Sequence, residues 1–140
     1  TEFTRVRVRN FLKFMNSEGF GSKKFNLTIE NLTESNKTIN YYVNKNIKVN
    51  SRLDKKNFFG ILSLSFFSEP NEIVFRSLSK ILSLFGYKYY PPRGKKVVDL
   101  IKAIKEGKKN KFTLNGCILE KNSNLVLISR ENITKKAKKA

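Results

Sequence analysis

Histidine is missing from this 140-residue chain, and cysteine occurs once, as Cys117. The lack of histidine excludes Ser-His-Asp and Cys-His nucleophilic sites and any histidine-ligated metal centre. A single cysteine excludes an internal disulfide and a zinc ribbon, and it fits a reducing compartment. Neither a GxxxxGK[ST] phosphate loop nor a GxGxxG motif occurs. We therefore predict that this chain alone has no catalytic residue, metal site or cofactor, and that Cys117 packs as a small apolar residue.

Acidic residues are also scarce. Asp and Glu number 11 against 29 Lys and Arg, which gives a formal net charge of +18. A charge of this size attracts polyanions over long range and favours a nucleic-acid partner. The abundance of Lys (22) and Asn (16), beside 3 Ala and 7 Arg, equally fits the drift of an AT-rich genome. The few arginines are the more informative cations, because their planar fork suits phosphate.

Long apolar runs are absent as well. No run approaches the roughly 20 residues of a membrane-spanning helix, and the start, TEFTRVRVRN, lacks the apolar core of a signal peptide. We expect a cytoplasmic protein without membrane contact. Hydrophobic residues still make up 39 %, with 12 Phe, which is enough for a core. The first residue is Thr1 rather than Met, and we expect a fragment that follows another domain.

Apolar residues recurring with a 3.6-residue period predict four helices. These helices cover residues 3–16, 22–45, 70–86 and 95–106. We predict that Ser22 caps the second helix and that Gly86 ends the third as a C-cap glycine. Arg5, Arg7 and Arg9 flank the apolar face of the first helix, either as an edge that faces an anion or as ordinary solvated charges.

The C-terminal part of the chain favours β-structure. Residues 111–119 and 125–131 predict two strands of a β-hairpin, with its turn at residues 121–124. Residues 46–57 fit a short strand or a loop, and residues 58–67 fit either a strand or a buried helix. The predicted fold class is α+β, mainly helical with about four helices, with a C-terminal antiparallel β-hairpin.

The segment between the third and fourth helices combines aromatic and basic residues. Three tyrosines, the last of them Tyr90, precede Pro91-Pro92, which fix an extended backbone. From Lys88 to Lys111, nine cations and two anions give a local net charge of +7. Lys and Arg reach phosphate, and Tyr stacks on unpaired bases, so this pattern favours a nucleic-acid surface. The alternative is a solvated helix beside a packed aromatic turn.

Four segments, in order, resemble the C-terminal half of a short-form tRNA(Ile)-lysidine synthetase of the alphaproteobacterial type. They are FTRVRVR (3–9), EIVFRSLSKIL (72–82), YPPRGKKVVDLI (90–101) and TLNGCIL with SRE (113–119 and 129–131). They are similar to the family's F-x-R-x-R-[VI]-R segment, its RxL helix, its Y-x-P-R segment and its T-L-G-G-C hairpin ending in Arg-Glu. The chain departs from the family at Asn115, where glycine is usual. It also lacks the ATP-pyrophosphatase domain with the Ser-Gly-Gly-x-Asp-Ser phosphate loop.

The resemblance implies an enzyme that uses ATP and Mg²⁺ to attach free L-lysine to C2 of the wobble cytidine of tRNA(Ile) with a CAU anticodon. ATP and the metal would be bound mainly by the missing domain, and this portion would contribute tRNA binding and active-site closure. Arg5, Arg7 and Arg9 would face ATP or the active site. The residues expected to bind tRNA are Arg76, Tyr90, Arg93, Lys95 and Lys96.

The implied organisation has three parts. Residues 1–20 would be a helix leaving the missing catalytic domain, residues 21–134 a tRNA-contacting domain, and residues 135–140 a disordered basic tail. Two alternatives stay open. The chain is either a stand-alone basic RNA- or DNA-binding module without catalysis, or a Lys-rich structural domain from an AT-rich organism.

Overall fold

The computed structural model describes residues 2–131, without the side chain of Glu2. Its elements are α1 (Glu2–Ser17), α2 (Ser22–Asn50), β1 (Ser51–Asp54), β2 (Phe59–Ser63), a 3₁₀-helix (Leu64–Ser68), α3 (Asn71–Phe85), α4 (Gly94–Glu106), β3 (Lys111–Leu114), β4 (Cys117–Lys121) and β5 (Leu125–Arg130). The predicted α+β class with four helices is confirmed. The predicted tail at residues 135–140 lies outside the described residues. Within residues 2–131, no helix combines the length and apolar character needed to cross a membrane.

The chain divides into two compact units between Asn40 and Tyr41. The N-terminal unit contains α1 and the first part of α2. Most of its large apolar side chains are exposed, with Phe3 at 83 % and Leu32 at 64 %. The apolar stripe therefore predicted α1 correctly, although that stripe is not buried. The division predicted at residue 20 stays a prediction.

The start of α2 corrects one expectation. The N–H of Phe25 donates to the carbonyl of Gly21 at 3.0 Å, and α2 begins at Ser22. Since the capping residue is the one whose carbonyl accepts the first helical hydrogen bond, Gly21 is the cap. Ser22 is the first helical residue rather than the predicted N-cap.

The end of α2 belongs to the C-terminal unit and lies five residues beyond the predicted end. Asn46 is buried there, and its Nδ2 donates to the carbonyl of Phe66 at 3.3 Å and to the hydroxyl of Ser77 at 3.2 Å. Asn50 Nδ2 donates to Asn46 Oδ1 at 2.8 Å. These long-range hydrogen bonds satisfy a polar side chain inside the core. They also stabilise the last turns of α2, which the apolar periodicity of the sequence did not predict.

The sheet has five antiparallel strands in the order β1-β2-β5-β4-β3. The predicted hairpin is β4 paired with β5, with Ile118 opposite Ser129. The predicted first strand, 111–119, is divided by a turn at Asn115-Gly116, where φ is 54° and 78°. Positive φ at both central residues is typical of a type I′ hairpin turn, which favours Asn-Gly. The departure from the family's glycine at Asn115 is therefore compatible with the same turn.

The ambiguous segment at residues 58–67 contains both predicted alternatives, because β2 is followed directly by the 3₁₀-helix. Gly60 in β2 pairs with Leu53 of β1 and with Ile128 of β5. The polar segment at residues 46–57 likewise supplies β1. The sheet is larger than the predicted hairpin because pairing with a distant strand, rather than local pattern, completes it.

The core of the C-terminal unit is built around α3. Its predicted stripe is confirmed, and these side chains are at most 1 % exposed: Val74, Leu78, Ile81, Leu82 and Phe85. From α4, Val97, Leu100 and Ile104 are buried, while Ile101 is half-buried. The sheet contributes its inward-facing side chains, which are Leu62, Cys117, Leu119, Val126 and Ile128. Burial of Cys117 among them confirms that it packs as an apolar residue.

The end of α3 corrects the second capping expectation. Gly86 is extended (φ −68°, ψ 152°) rather than left-handed. A glycine is required here because the backbone of the β3–β4 turn lies very close, and a Cβ at this position would clash with the backbone carbonyl of Asn115. Carbonyls of the last helical turn accept hydrogen bonds from β5 and from the β3–β4 turn, although the Leu82 carbonyl also accepts one from Gly86 N–H. Asn115 Nδ2 donates to the carbonyl of Leu82 at 3.2 Å, and Arg130 Nε donates to that of Phe85 at 2.6 Å.

Candidate nucleic-acid interface

Residues 86–96 comprise the connection from α3 to α4 and the first three residues of α4, and they are called here the basic turn. Its first end is fixed on the β3–β4 turn, where the Tyr87 ring covers Gly116 so closely that a Cβ there would lie 2.7 Å from the ring. The Tyr87 hydroxyl donates to Glu131 Oε2 at 3.5 Å. Its other end lies against α3, because a Cβ on Gly94 would lie 3.5 Å from the Phe75 ring. The basic turn is therefore held at both ends by the C-terminal unit.

Two tyrosines of the basic turn extend into solvent. Tyr89 is 94 % exposed and Tyr90 is 75 % exposed, and their ring centroids lie 5.3 Å apart, edge to face. Tyr87 is the ring that packs, with Lys88 Nζ 5.4 Å from its centroid. Since Tyr90 keeps most of its surface accessible, its position suits the predicted stacking role.

The cations predicted beside Tyr90 lie at the N-terminus of α4. Arg93 precedes the helix, and its carbonyl accepts a hydrogen bond from Val97 N–H at 3.1 Å. Lys95 and Lys96 occupy the first turn, which contains no acidic residue, and all three cations are exposed. The helix dipole adds partial positive charge at this end. The three cations are therefore repelled by the partial positive charge of the helix N-terminus. A bound anion would relieve this repulsion.

Arg76, the remaining predicted tRNA contact, lies on α3. Its side chain is 35 % exposed, and its Nε contacts Glu72 Oε1 at 2.7 Å, one helical turn away. Arg76 is therefore half-buried and ion-paired. A phosphate would have to compete with Glu72 for this guanidinium. Its role in binding tRNA stays a prediction.

The three arginines predicted to face ATP or the active site belong to the N-terminal unit. Arg5, Arg7 and Arg9 are exposed along α1, and within the described part of the chain none of them forms an ion pair. Arg5 and Arg9 are four residues apart on one helix, a spacing at which like charges repel each other. The role assigned to them stays a prediction.

A cleft between α4 and β3 brings Lys96, which was predicted to bind tRNA, together with three lysines that were not selected from the sequence. The cleft has a volume of about 600 Å³, and the three further lysines are Lys108, Lys109 and Lys111, with Asp99 and Glu106 also on its walls. The only sequence signal for this lysine cleft was the excess of cations over residues 88–111. Its members come from a helix, a loop and a strand, so their proximity depends on the packing of α4 beside β3.

Two ionisable groups of the described chain have a pKa that departs from its ordinary value. Burial raises the pKa of the Cys117 thiol to about 11, so this side chain stays protonated at neutral pH and is not a nucleophile. Hydrogen bonds from Asn57 lower the pKa of Asp54, which lies at the exposed end of β1. Between residues 2 and 131, no cluster of three or more His, Cys, Asp or Glu is placed to hold a metal ion.

The interface therefore combines exposed aromatic rings with cations on a well-packed support. An arrangement of this kind is suited to contact with a polyanion and to stacking on planar groups. Comparison with protein-family models, with curated proteins and with solved structures gave no significant match to this chain.

Proposed function

We propose that this chain is the tRNA-binding part of a tRNA(Ile)-lysidine synthetase. In this proposal the complete enzyme works in the cytoplasm and uses ATP and Mg²⁺, bound mainly by another domain, to attach L-lysine to the wobble cytidine of tRNA(Ile). The present chain binds the tRNA and helps to close the active site. The observation that carries the proposal is the basic turn, where exposed Tyr89 and Tyr90 adjoin exposed Arg93, Lys95 and Lys96.

The chemistry of the basic turn matches that of an RNA loop. Proteins recognise single-stranded RNA loops by stacking unpaired bases on aromatic rings and by contacting the backbone with cations. The Arg93 guanidinium offers a planar fork of donors to phosphate, and Lys95 and Lys96 add charge beside it. Because both ends of the basic turn are anchored, little loop ordering opposes binding.

The resembling segment TLNGCIL with SRE, outside the basic turn, has a packing role. Asn115 and Arg130 donate hydrogen bonds to the last carbonyls of α3, and the Arg130 guanidinium lies 3.4 Å from the centroid of the Phe58 ring. These two residues thereby support the helix that leads into the basic turn. This division of labour favours Arg93 over Arg130 as an RNA contact.

A salt series on the full chain tests the proposal. The Kd for a tRNA(Ile) transcript with a CAU anticodon is measured by fluorescence polarisation between roughly 50 and 200 mM salt. We expect affinity to fall steeply with salt, and Arg93→Ala to weaken binding and to lower the slope of log K against log[salt] by about 1. Arg52→Ala is the control, since Arg52 is also exposed but lies on β1.

Two results contradict the proposal. If affinity hardly changes with salt, phosphate contact is not the purpose of the charge, and the Lys-rich structural domain is the better interpretation. If Arg93→Ala and Arg52→Ala weaken binding equally, the basic turn is not the contact surface.

The alternative, a stand-alone RNA- or DNA-binding module, is favoured by a different observation. The C-terminal unit has a core of its own, built from α3, α4 and the sheet. Competition by unrelated RNA and by DNA of similar length separates the two functions, because a general module binds these competitors as tightly as tRNA(Ile). The coding sequence upstream of Thr1 gives a second test, in which an in-frame Ser-Gly-Gly-x-Asp-Ser motif supports the synthetase and an initiator Met directly before Thr1 contradicts it.

A further inference from the structure

A groove between α3 and α4 lies next to the basic turn and has a volume of about 430 Å³. Its apolar lining comes from Phe75, Val98 and Ile101. Val98 is an apolar residue on the solvent side of α4 and is 53 % exposed. Phe75 also packs against Gly94, so the groove adjoins the end of the basic turn where Arg93 lies. Phe75 was not selected as a functional residue from the sequence.

The rest of the groove is polar and basic. Lys102 and Lys105 lie on its α4 side, and Asn71 and Glu106 complete the lining. The two ammonium groups are exposed and suit phosphates. The Asn71 amide and the Glu106 carboxylate offer donors and acceptors to the edge of a planar polar group. An apolar interior with a few polar groups is typical of small-molecule pockets, and the volume lies within their usual range.

These features favour one occupant. An unpaired base presents a planar face to an aromatic ring and hydrogen-bonding groups at its edge, and it is attached to phosphates. Because the segment from Lys88 to Lys111 has nine cations and two anions, its charge is complementary to a polyanion that carries such bases. We propose that this groove binds an unpaired base of the RNA whose backbone lies along the basic turn. This inference rests on the proposed function. Asn71 and Glu106 together can bond with any of the four bases, so the groove is tolerant of sequence.

The test uses a substitution for which base binding and pure electrostatics predict opposite results. Val98→Lys fills the mouth of the groove and adds a positive charge, and its exposed position allows the chain to fold. Val49→Lys is the matched control, because Val49 is an exposed helical valine of α2 outside the groove. Binding is measured to an oligoadenylate of about six nucleotides and to an abasic oligomer with the same number of phosphates.

We expect Val98→Lys to weaken oligoadenylate binding about five-fold or more, the loss of one stacked base. The same variant is expected to bind the abasic oligomer at least as tightly as the unaltered chain, and Val49→Lys to weaken neither. If Val98→Lys binds oligoadenylate as tightly as Val49→Lys does, the groove does not hold a base. If the unaltered chain binds the tRNA(Ile) transcript but neither oligomer, the groove proposal fails alone; if it does not bind the transcript either, the proposed function fails as well.

A measurement on the unaltered chain keeps the test independent of folding. The ¹³C-methyl resonance of Ile101, assigned with Ile101→Val, is followed during titration with each oligomer. We expect the ring current of a bound base to shift this resonance with oligoadenylate and not with the abasic oligomer. The proposal is overturned if the Ile101 resonance shifts equally with both oligomers or with neither. The groove would then be better explained as a site for an apolar side chain of a protein partner.

Discussion

The two units of this chain contain similar amphipathic helices with different outcomes. On α1, Phe11 of the apolar stripe is 58 % exposed, whereas on α3 Phe85 has no exposed surface. Both helices have an apolar stripe with a 3.6-residue period. The stripe of α3 is covered by α4 and by the sheet, whose strands come from both sides of α3 in the sequence. An apolar stripe thus predicts a helix. Whether the stripe is buried depends on the elements that pack against it, and these cannot be identified from the sequence of the helix itself.

The same contrast occurs within the single helix α2. Asn31, in the N-terminal unit, is exposed, while Asn46, in the C-terminal unit, is buried and hydrogen-bonded to two other elements. An isolated helix is marginally stable in water, and most helical stability in proteins comes from packing. We therefore infer that the free energy of unfolding is concentrated in the C-terminal unit, and matched substitutions in the two units test this.

The largest expected effect is the difference between two phenylalanine substitutions. Phe85→Ala should lower the free energy of unfolding by about 3–5 kcal/mol, because it leaves a cavity in the core. Phe11→Ala, at an exposed position of the α1 stripe, should change it by less than about 0.5 kcal/mol. Urea denaturation followed by circular dichroism measures both values. Equal losses would mean that the stripe of α1 is buried in solution and would end the contrast between the units.

Glycine-to-alanine substitutions at Gly86 and Gly21 compare the tightness of packing in the two units. Gly86→Ala should lower the free energy of unfolding by about 2–3 kcal/mol, since the new Cβ meets the backbone carbonyl of Asn115, which cannot yield easily. Gly21→Ala meets nothing closer than Asn16 Oδ1 at 3.5 Å and should cost less than about 1 kcal/mol. The same denaturation experiment applies. A neutral Gly86→Ala would show that α3 and the β3–β4 turn are not in close contact.

An intermediate effect is expected from asparagine substitutions in α2. Asn46→Ala should lower the free energy of unfolding by about 1–2 kcal/mol, because the Ser77 hydroxyl loses a buried partner. Asn31→Ala should stay within about 0.5 kcal/mol. Thermal unfolding followed at the helical signal measures both. If both substitutions are neutral, the end of α2 is not held by the core.

The smallest effect concerns pH. Burial raises the pKa of Cys117 from an ordinary value of 9.0 to about 11, so the folded state keeps a proton that the unfolded chain loses. The resulting stabilisation is fully present below about pH 9 and is lost as the pH rises towards 11. We expect the free energy of unfolding to fall between pH 8 and pH 9.5 less steeply in Cys117→Ala than in the unaltered chain. Parallel slopes would show that the thiol is not buried.

Most of the helical framework was predictable because helix signals are local. α1, α3 and α4 lie within a residue or two of their predicted bounds. The strands β1 and β2 were left ambiguous, since a strand is stabilised by a partner that its own sequence does not identify. Gly86 ends α3 as predicted, but for a different reason, because its contact with Asn115 joins positions far apart in the chain.

The candidate site shows the same limit. Tyr90, Arg93, Lys95 and Lys96 are consecutive or nearly so, and their shared exposure followed from one segment. The ion pair of Arg76 with Glu72 had a signal in the i, i+4 spacing that the sequence analysis did not use. The lysine cleft and the groove had no comparable signal, because each is formed by two elements packed side by side.

The sequence by itself determined the helices, the excess of positive charge and the position of the tyrosines before Pro91-Pro92, because these depend on composition and on neighbours within a few residues. The tertiary structure decided which apolar stripe is buried, where α2 ends, how the strands pair and which lysines meet. The physical reason is that burial and strand pairing join residues distant along the chain, and their free energy appears when both partners are in place.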